Sequence, residues 1–382
     1  MRDITKFEDI RPYNDSEYKE AIKVLFDKEQ LMILLQQYVP ELSVQELKDE
    51  LYSYNSIQEF QSKMICRIIE ASLNKSAKEF SNNGVELIDK SVSQLLITNH
   101  RDIVLDSALV NYCLDMNGNN TCEIAIGSNL LKEPWVKRLV RINKSFIVKR
   151  NIPKQEMFEA SKNLSAYIDY TIKEKKQSIW IAQREGRAKD GFDKTAPGLL
   201  KMFGMVSDGH ILDQLMSLNI TPVSISYELD PCDGFKLAEL VAKAEGREYI
   251  KAEGEDEMSM ALGIQGEKGN VHLEFGACIN DKIEGLTDIK NRNQLLKAIA
   301  EIIDNEIYLN YKLWNSNYVA YDLLHDTNKY EANYSIGGKE EFTAYMNKRL
   351  AKFEGHELAK DIFLKMYANP VINAEKAKEV LV

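Results

Sequence analysis

The chain changes its hydrophobic period about a quarter of the way along. From Ser16 to Ser91 apolar residues recur three and four apart, and two capping boxes, Ser43-Val44-Gln45-Glu46 and Ser56-Ile57-Gln58-Glu59, each open such a run. A serine hydroxyl with a glutamate three residues on satisfies the amides that a helix start leaves bare, so this stretch predicts a small helical domain. From Gln94 onward short apolar runs alternate with long amphipathic ones. Strands are expected over 94–98, 123–127, 145–149, 178–183, 221–227 and 271–275, and helices over 155–175, 199–218 and 235–246. That alternation implies a mostly parallel sheet with helices on both faces. Beyond Asp288 the pattern is again helical and rich in tyrosine, with a polar, glycine-containing interruption near 333–339. The expected fold is α/β: a mostly parallel central sheet flanked by helices, with an N-terminal helical domain (1–91), an α/β domain (92–290) and a helical C-terminal region (291–382) packing on it.

Composition narrows the class. At 382 residues and 44% hydrophobic, the chain can bury a full core and carry extra helices. It has no apolar run of about 18 residues, and Met1-Arg2-Asp3-Ile4-Thr5-Lys6 is too polar for a secretory leader. The expected location is the cytoplasm, with peripheral contact at the inner face of the membrane if a lipid is handled. Cys66, Cys113, Cys122, Cys232 and Cys278 form no Cys-x-x-Cys pair, which fits reduced core thiols rather than a metal site. A net charge of -10 opposes broad nucleic-acid binding. One segment, 130–144, reverses the sign. Trp135 and Leu139 with Lys137, Arg138, Arg141 and Lys144 suit either an ordinary covering helix or a helix lying on anionic lipid.

The first candidate for chemistry is the turn after the first sheet strand, Asn99-His100-Arg101-Asp102-Ile103-Val104-Leu105-Asp106, where a strand breaks into polar residues just before a helix. Open α/β sheets place their chemistry there. Asp102 suits the helix cap, which leaves Asp106 to orient the His100 imidazole, the arrangement of a general base acting on a hydroxyl. Further on, the strand 178–183 runs into Arg184-Glu185-Gly186-Arg187-Ala188-Lys189, a loop able to hold a phosphate, though equally a solvated connection. The strand 145–149 ends in Lys149 and Arg150, a second anion contact or a charged sheet edge. His210, His272, His325 and His356 have no metal-ligand spacing, Gly263, Gly266 and Gly269 suit a turn, and Tyr308, Tyr311, Tyr318 and Tyr321 suit helix packing.

Taken in order, four of these pieces resemble the glycerolipid acyltransferase family, which includes glycerol-3-phosphate and 1-acylglycerol-3-phosphate (lysophosphatidate) acyltransferases. The matching stretches are His100 through Asp106, Phe146-Ile147-Val148-Lys149, Glu185-Gly186-Arg187, and Thr221-Pro222-Val223-Ser224-Ile225-Ser226-Tyr227, and the resemblance covers Leu95 to Phe275. The chain departs from the family pattern in three places. Five residues rather than four separate His100 from Asp106, Lys149 stands at the family's Arg position with Arg150 beside it, and the third block lacks its Thr and has Arg184 for its leading Pro. Asp102 therefore stays open as the orienting acid, and Arg184 or Lys189 as a partner of Arg187.

The resemblance implies an O-acyltransferase moving a fatty acyl group from acyl-CoA or acyl-ACP, as co-substrate and without further cofactor or metal, to glycerol 3-phosphate or a related (lyso)phospholipid. His100, Asp106 and Asp102 would be the catalytic set. Lys149, Arg150, Arg184, Glu185, Gly186, Arg187 and Lys189 would bind the acceptor. No Gly-x-Ser-x-Gly is present for an acyl-enzyme, so direct transfer is expected, with amides at the helix start after Asp102 facing the oxyanion. Expected partners are the thioester donor, acyl carrier protein among them, the glycerol-phosphate-type acceptor and an anionic membrane, with no nucleic acid. The alternatives are a non-catalytic lipid- or acyl-carrier-binding protein on the same fold, or an acyltransferase for a non-phosphate acceptor such as an amino-acid lyso-lipid.

Overall fold

The structure is a computed structural model and describes residues 4–207 and 209–380; Met1, Arg2, Asp3, Asp208, Leu381 and Val382 lie outside the described residues. Among the described residues seven strands form one sheet: β1 (Ala77–Asn83), β2 (Leu95–Thr98), β3 (Glu123–Gly127), β4 (Ser145–Val148), β5 (Ile179–Ala182), β6 (Ile220–Tyr227) and β7 (Gly269–Phe275). Their order is β1-β7-β6-β2-β5-β3-β4, every neighbouring pair is parallel except antiparallel β6 and β7, and helices cover the sheet. This is the expected α/β class with helical ends.

Strand β2 shows why the middle strands read as continuous apolar runs. It pairs with β5 on one side and β6 on the other, and all four of its residues are buried. Successive side chains point to opposite faces, so Leu95 and Ile97 join one core with Ile179, Phe146, Tyr167 and Ile303, while Leu96 joins another with Trp180, Leu109 and Ile225.

Three expectations are corrected. Strand β1 lies inside the stretch read as helical; Ala-Lys-Glu-Phe-Ser-Asn-Asn has no apolar run because this is a half-exposed edge strand, placed by pairing with β7. The helix expected over 199–218 is two, Pro197–Phe203 and Ile211–Met216, parted after Gly204. Gly263 sits within a helix, Glu255–Gln265, rather than in a turn. The capping signals hold in detail: Ser43 and Glu46 bond reciprocally, while Ser56 caps Glu59 and Glu59 reaches the Asn55 amide.

The N-terminal helices bury their own core, including Tyr18, Ile22, Leu47, Leu51 and Phe60, and Trp135 and Leu139 of the helix Pro134–Ile142 pack against it. These two side chains are thus not a free lipid-facing pair. Arg141 stacks 4.3 Å from the Tyr13 ring centroid and donates to the Arg11 carbonyl, and Lys144 donates to Gln58 and Thr121. An apolar stripe announces that something covers it; here the cover is the protein's own first helices. No helix among the described residues is long and apolar enough to cross a membrane. Four of the five cysteines are buried, and burial pushes the thiols of Cys66, Cys122 and Cys232 up to about 12.

Lys268, just before β7, is fully buried and donates to the Ser76 hydroxyl (2.7 Å) and the carbonyls of Ile264 (3.1 Å) and Gly266 (2.8 Å). All three acceptors are neutral, so burial lowers its ammonium to about 8. The unfolded chain binds a proton at this position more tightly, so between about pH 8 and 10 rising pH stabilises the fold, by on the order of 1 kcal/mol per pH unit from this group. Urea denaturation across that range is expected to show this gain in the parent relative to Lys268→Met.

Candidate active site

The site grows from the carboxyl end of β2. Where backbone pairing with β6 stops at Thr98, the Asn99 carboxamide extends it, donating to the Ile225 carbonyl (2.9 Å) and accepting from the Ile225 amide (2.8 Å). The chain then turns, and Asp102 Oδ1 accepts from the amides of Val104 (2.8 Å) and Leu105 (2.7 Å), capping the helix Leu105–Met116. One helical turn on, Asp106 is fully buried and points back at the same loop. Its Oδ2 accepts from the amides of Arg101 (2.6 Å) and Asp102 (2.9 Å) and lies 2.8 Å from His100 Nδ1. Its Oδ1 accepts from the Tyr227 hydroxyl at 3.2 Å.

Donors thus surround the Asp106 carboxylate. It meets the imidazole as an acceptor as well, which assigns the ring proton to Nδ1 and leaves Nε2 as the basic nitrogen. The ring is also held edge-on against Trp180, centroids 5.9 Å apart. Asp106, not Asp102, orients His100; the extra residue between them is absorbed by the loop that Asp106 closes. Asp102 is committed to the cap, and burial together with the nearby Asp106 charge pushes its carboxyl upward. A helix runs directly over it, since a Cβ at Gly263 would lie 2.0 Å from Asp102 Oδ2. The amides of Arg101, Asp102, Val104 and Leu105 are bonded to these two carboxylates, which takes Val104 and Leu105 out of the expected oxyanion cradle.

The loop after β5 lies beside this turn. The Gln183 amide donates to the Thr98 carbonyl (2.8 Å) and the Ala188 amide to the His100 carbonyl (3.0 Å). Gly186 supplies a left-handed residue at φ 73°, and the space where a Cβ would stand is open. Arg187 is half-buried, its Nη1 is buried without a hydrogen-bond partner among the described residues, and its charge pulls the carboxyls of both Asp102 and Asp230 downward. The other expected acceptor contacts are dispersed. Lys149 pairs with Asp9 (2.5 Å), Arg150 with Glu185 (2.8 Å) and Lys189 with Glu239, while Arg184 is exposed.

A second polar group, not foreseen from the sequence, backs the turn. Arg101 Nη2 pairs with fully buried Asp193 at 2.6 Å, and Asp193 also accepts from the Tyr311 hydroxyl, with Tyr308 donating to its backbone carbonyl. Burial pushes the Asp193 carboxyl up even though Arg101 pulls it down. Lys236, itself buried, donates to the Arg101 carbonyl (2.9 Å) and pairs with Asp230. Between these groups lies a cavity of about 40 Å³ whose lining includes Arg101, Tyr227, Asp230, Tyr311, Lys312 and Met366, enough for a few waters. Tyr308 and Tyr311 are therefore more than helix packing, whereas Tyr318 and Tyr321 do pack on Tyr330, one tilted and one edge-on. The single sequence hint was the position of Arg101 next to His100.

No family model and no curated protein matches the sequence. Among solved structures, the 1-acyl-sn-glycerophosphate (LPA) acyltransferase PlsC from Thermotoga maritima is similar over 75% of this chain and 92% of its own, at 13% identity and a TM-score of 0.37. A likeness so distant identifies neither a substrate nor a mechanism.

Proposed function

We propose that this chain is an acyltransferase that moves a fatty acyl group from an acyl-CoA or acyl-ACP thioester to a hydroxyl of glycerol 3-phosphate or a related (lyso)phospholipid, with His100 as general base. The observation that carries the reading is the buried Asp106 carboxylate 2.8 Å from His100 Nδ1, which leaves Nε2 to take a proton. As Nε2 removes the hydroxyl proton, the oxygen attacks the thioester carbonyl. The tetrahedral intermediate collapses with cleavage of the carbon–sulfur bond, and the imidazolium returns the proton to the leaving thiolate. Asp106 stabilises the imidazolium in between. Arg187, its Nη1 unpaired among the described residues on a loop bonded to His100, suits the anionic end of the acceptor.

The pairing of Lys149 with Asp9 and Arg150 with Glu185 favours a second acceptor class, because it leaves less positive charge for a phosphate. An amino-acid lyso-lipid needs less. Thiol release from acyl-CoA and acyl-ACP, measured with a panel of both acceptor types, tests the reading. The expected result is release that requires an acceptor and matches ester formed one to one. Donor binding without acceptor-dependent release from any of them would replace it with a non-catalytic binding protein.

A further inference from the structure

We propose that Tyr227 is a positioning residue for the His100–Asp106 pair, its hydroxyl satisfying the carboxylate oxygen that the imidazole does not use. The kinetic part rests on the reading of His100 as general base; the geometric part does not. Asp106 Oδ2 serves His100 and two backbone amides, whereas Oδ1 accepts from Tyr227 at 3.2 Å. The two ends of this contact are held by the same sheet. Tyr227 closes β6, which pairs in parallel with β2 and antiparallel with β7, and Asn99 ties the start of the His100 turn to Ile225, two residues before the tyrosine. Burial and the adjacent Asp106 hold the phenol well above its ordinary range, so it stays a donor.

The other charged groups around the pair are engaged elsewhere. Asp102 caps the helix, Arg101 turns to Asp193, and Asp230 pairs with Lys236. Arg101 and Asp102 act on Asp106 through space, as Arg187 and Lys268 do on Asp102, but none of these side chains hydrogen-bonds the Asp106 carboxylate among the described residues. The phenol is therefore the group placed to set how strongly Asp106 grips the ring proton. With the phenol in place, part of the carboxylate's accepting strength is spent on Oδ1. Without it, Asp106 holds the imidazolium more tightly, and the base becomes protonated at higher pH.

Two variants test this. Tyr227→Phe is expected to move the acid limb of the kcat/KM profile up by about one pH unit, which lowers the rate up to about tenfold on the acid side of the limb and progressively less above it, with KM for donor and acceptor little changed. Incorporation of 3-fluorotyrosine at position 227, a stronger donor of nearly the same size, moves the limb the other way. The ring titration of His100, followed by proton–carbon NMR on histidine-labelled protein and assigned with His100→Gln, shifts in the same two directions and needs no substrate. It thus reports on Tyr227 even where the thioester assay finds no transfer. Reduced activity with an unmoved limb, or a His100 titration unchanged in both variants, leaves Tyr227 a packing role and overturns the proposal.

Discussion

Alanine at position 100 is expected to cut acceptor-dependent thiol release by about 10²–10⁴-fold while leaving the protein folded, the range that a positioned general base contributes. Among the described residues the imidazole's one polar tie is to Asp106, which keeps two backbone amides and the Tyr227 hydroxyl as donors in the variant, so the turn stays formed although packing against Trp180 is lost. Asp106→Asn is expected to fall in the same range for a different reason. An asparagine can keep its carbonyl oxygen toward the amides of Arg101 and Asp102 and so preserve the turn, but it presents no charge to the imidazolium. The two losses belong to one unit, so the double variant should be scarcely slower than the worse single one. Single-turnover rates with denaturation curves on each variant check this. Full additivity, or activity near that of the parent in either single variant, would remove the pair as the catalytic base. Asp106→Ala is a poor substitute in this experiment. It leaves the two amides and the Tyr227 hydroxyl without their acceptor, each such buried donor costing about 1–3 kcal/mol, so stability and catalysis fall together.

The largest loss of stability is expected from Arg101→Met. Asp193 is fully buried and meets Arg101 at 2.6 Å, so a methionine strands a carboxylate with only hydroxyl help from Tyr311. Breaking a buried pair from one side costs about 3–5 kcal/mol, most of it the penalty for the charge left behind. Removing both charges with apolar residues of similar volume, Arg101→Met with Asp193→Leu, is expected to recover much of that loss. Urea denaturation of the two variants separates these outcomes by a shift in midpoint. Equal destabilisation by both would mean that packing around the guanidinium, rather than charge pairing, carries the contribution.

The parts of the molecule that could be read in advance are those governed by neighbours along the chain. A capping aspartate shows itself by the apolar helix that follows it, and Asp106 lies one turn beyond Asp102, so the whole His100–Asp106 turn is encoded within seven consecutive residues. The middle strands announce themselves because burial on both faces favours continuous apolar residues, as at 95–97. Strand β1 does not, since an edge strand with a half-exposed sequence needs no such run and takes its shape from β7. The basic helix Pro134–Ile142 is ambiguous for a related reason. Its periodicity specifies an apolar stripe but not the surface that covers it, and folding supplied the N-terminal helices.

The groups that hold the site in place carry no local mark at all. Tyr227 reaches Asp106 across 121 positions, Tyr311 reaches Asp193 across 118, and Arg101 reaches Asp193 across 92. A tyrosine at a strand end or an aspartate in a loop is unremarkable until a sheet brings it within hydrogen-bond range of a buried charge. The same holds in reverse for Lys149 and Arg150, whose charges looked free along the chain and are met by Asp9 and Glu185 in space. Short-range periodicity and capping chemistry were enough to specify most of the elements and the His100–Asp106 turn. Which side chains surround that turn, and which charges remain for a ligand, depended on long-range pairing, because hydrogen bonds and ion pairs act over a few ångströms of space whatever the distance along the chain.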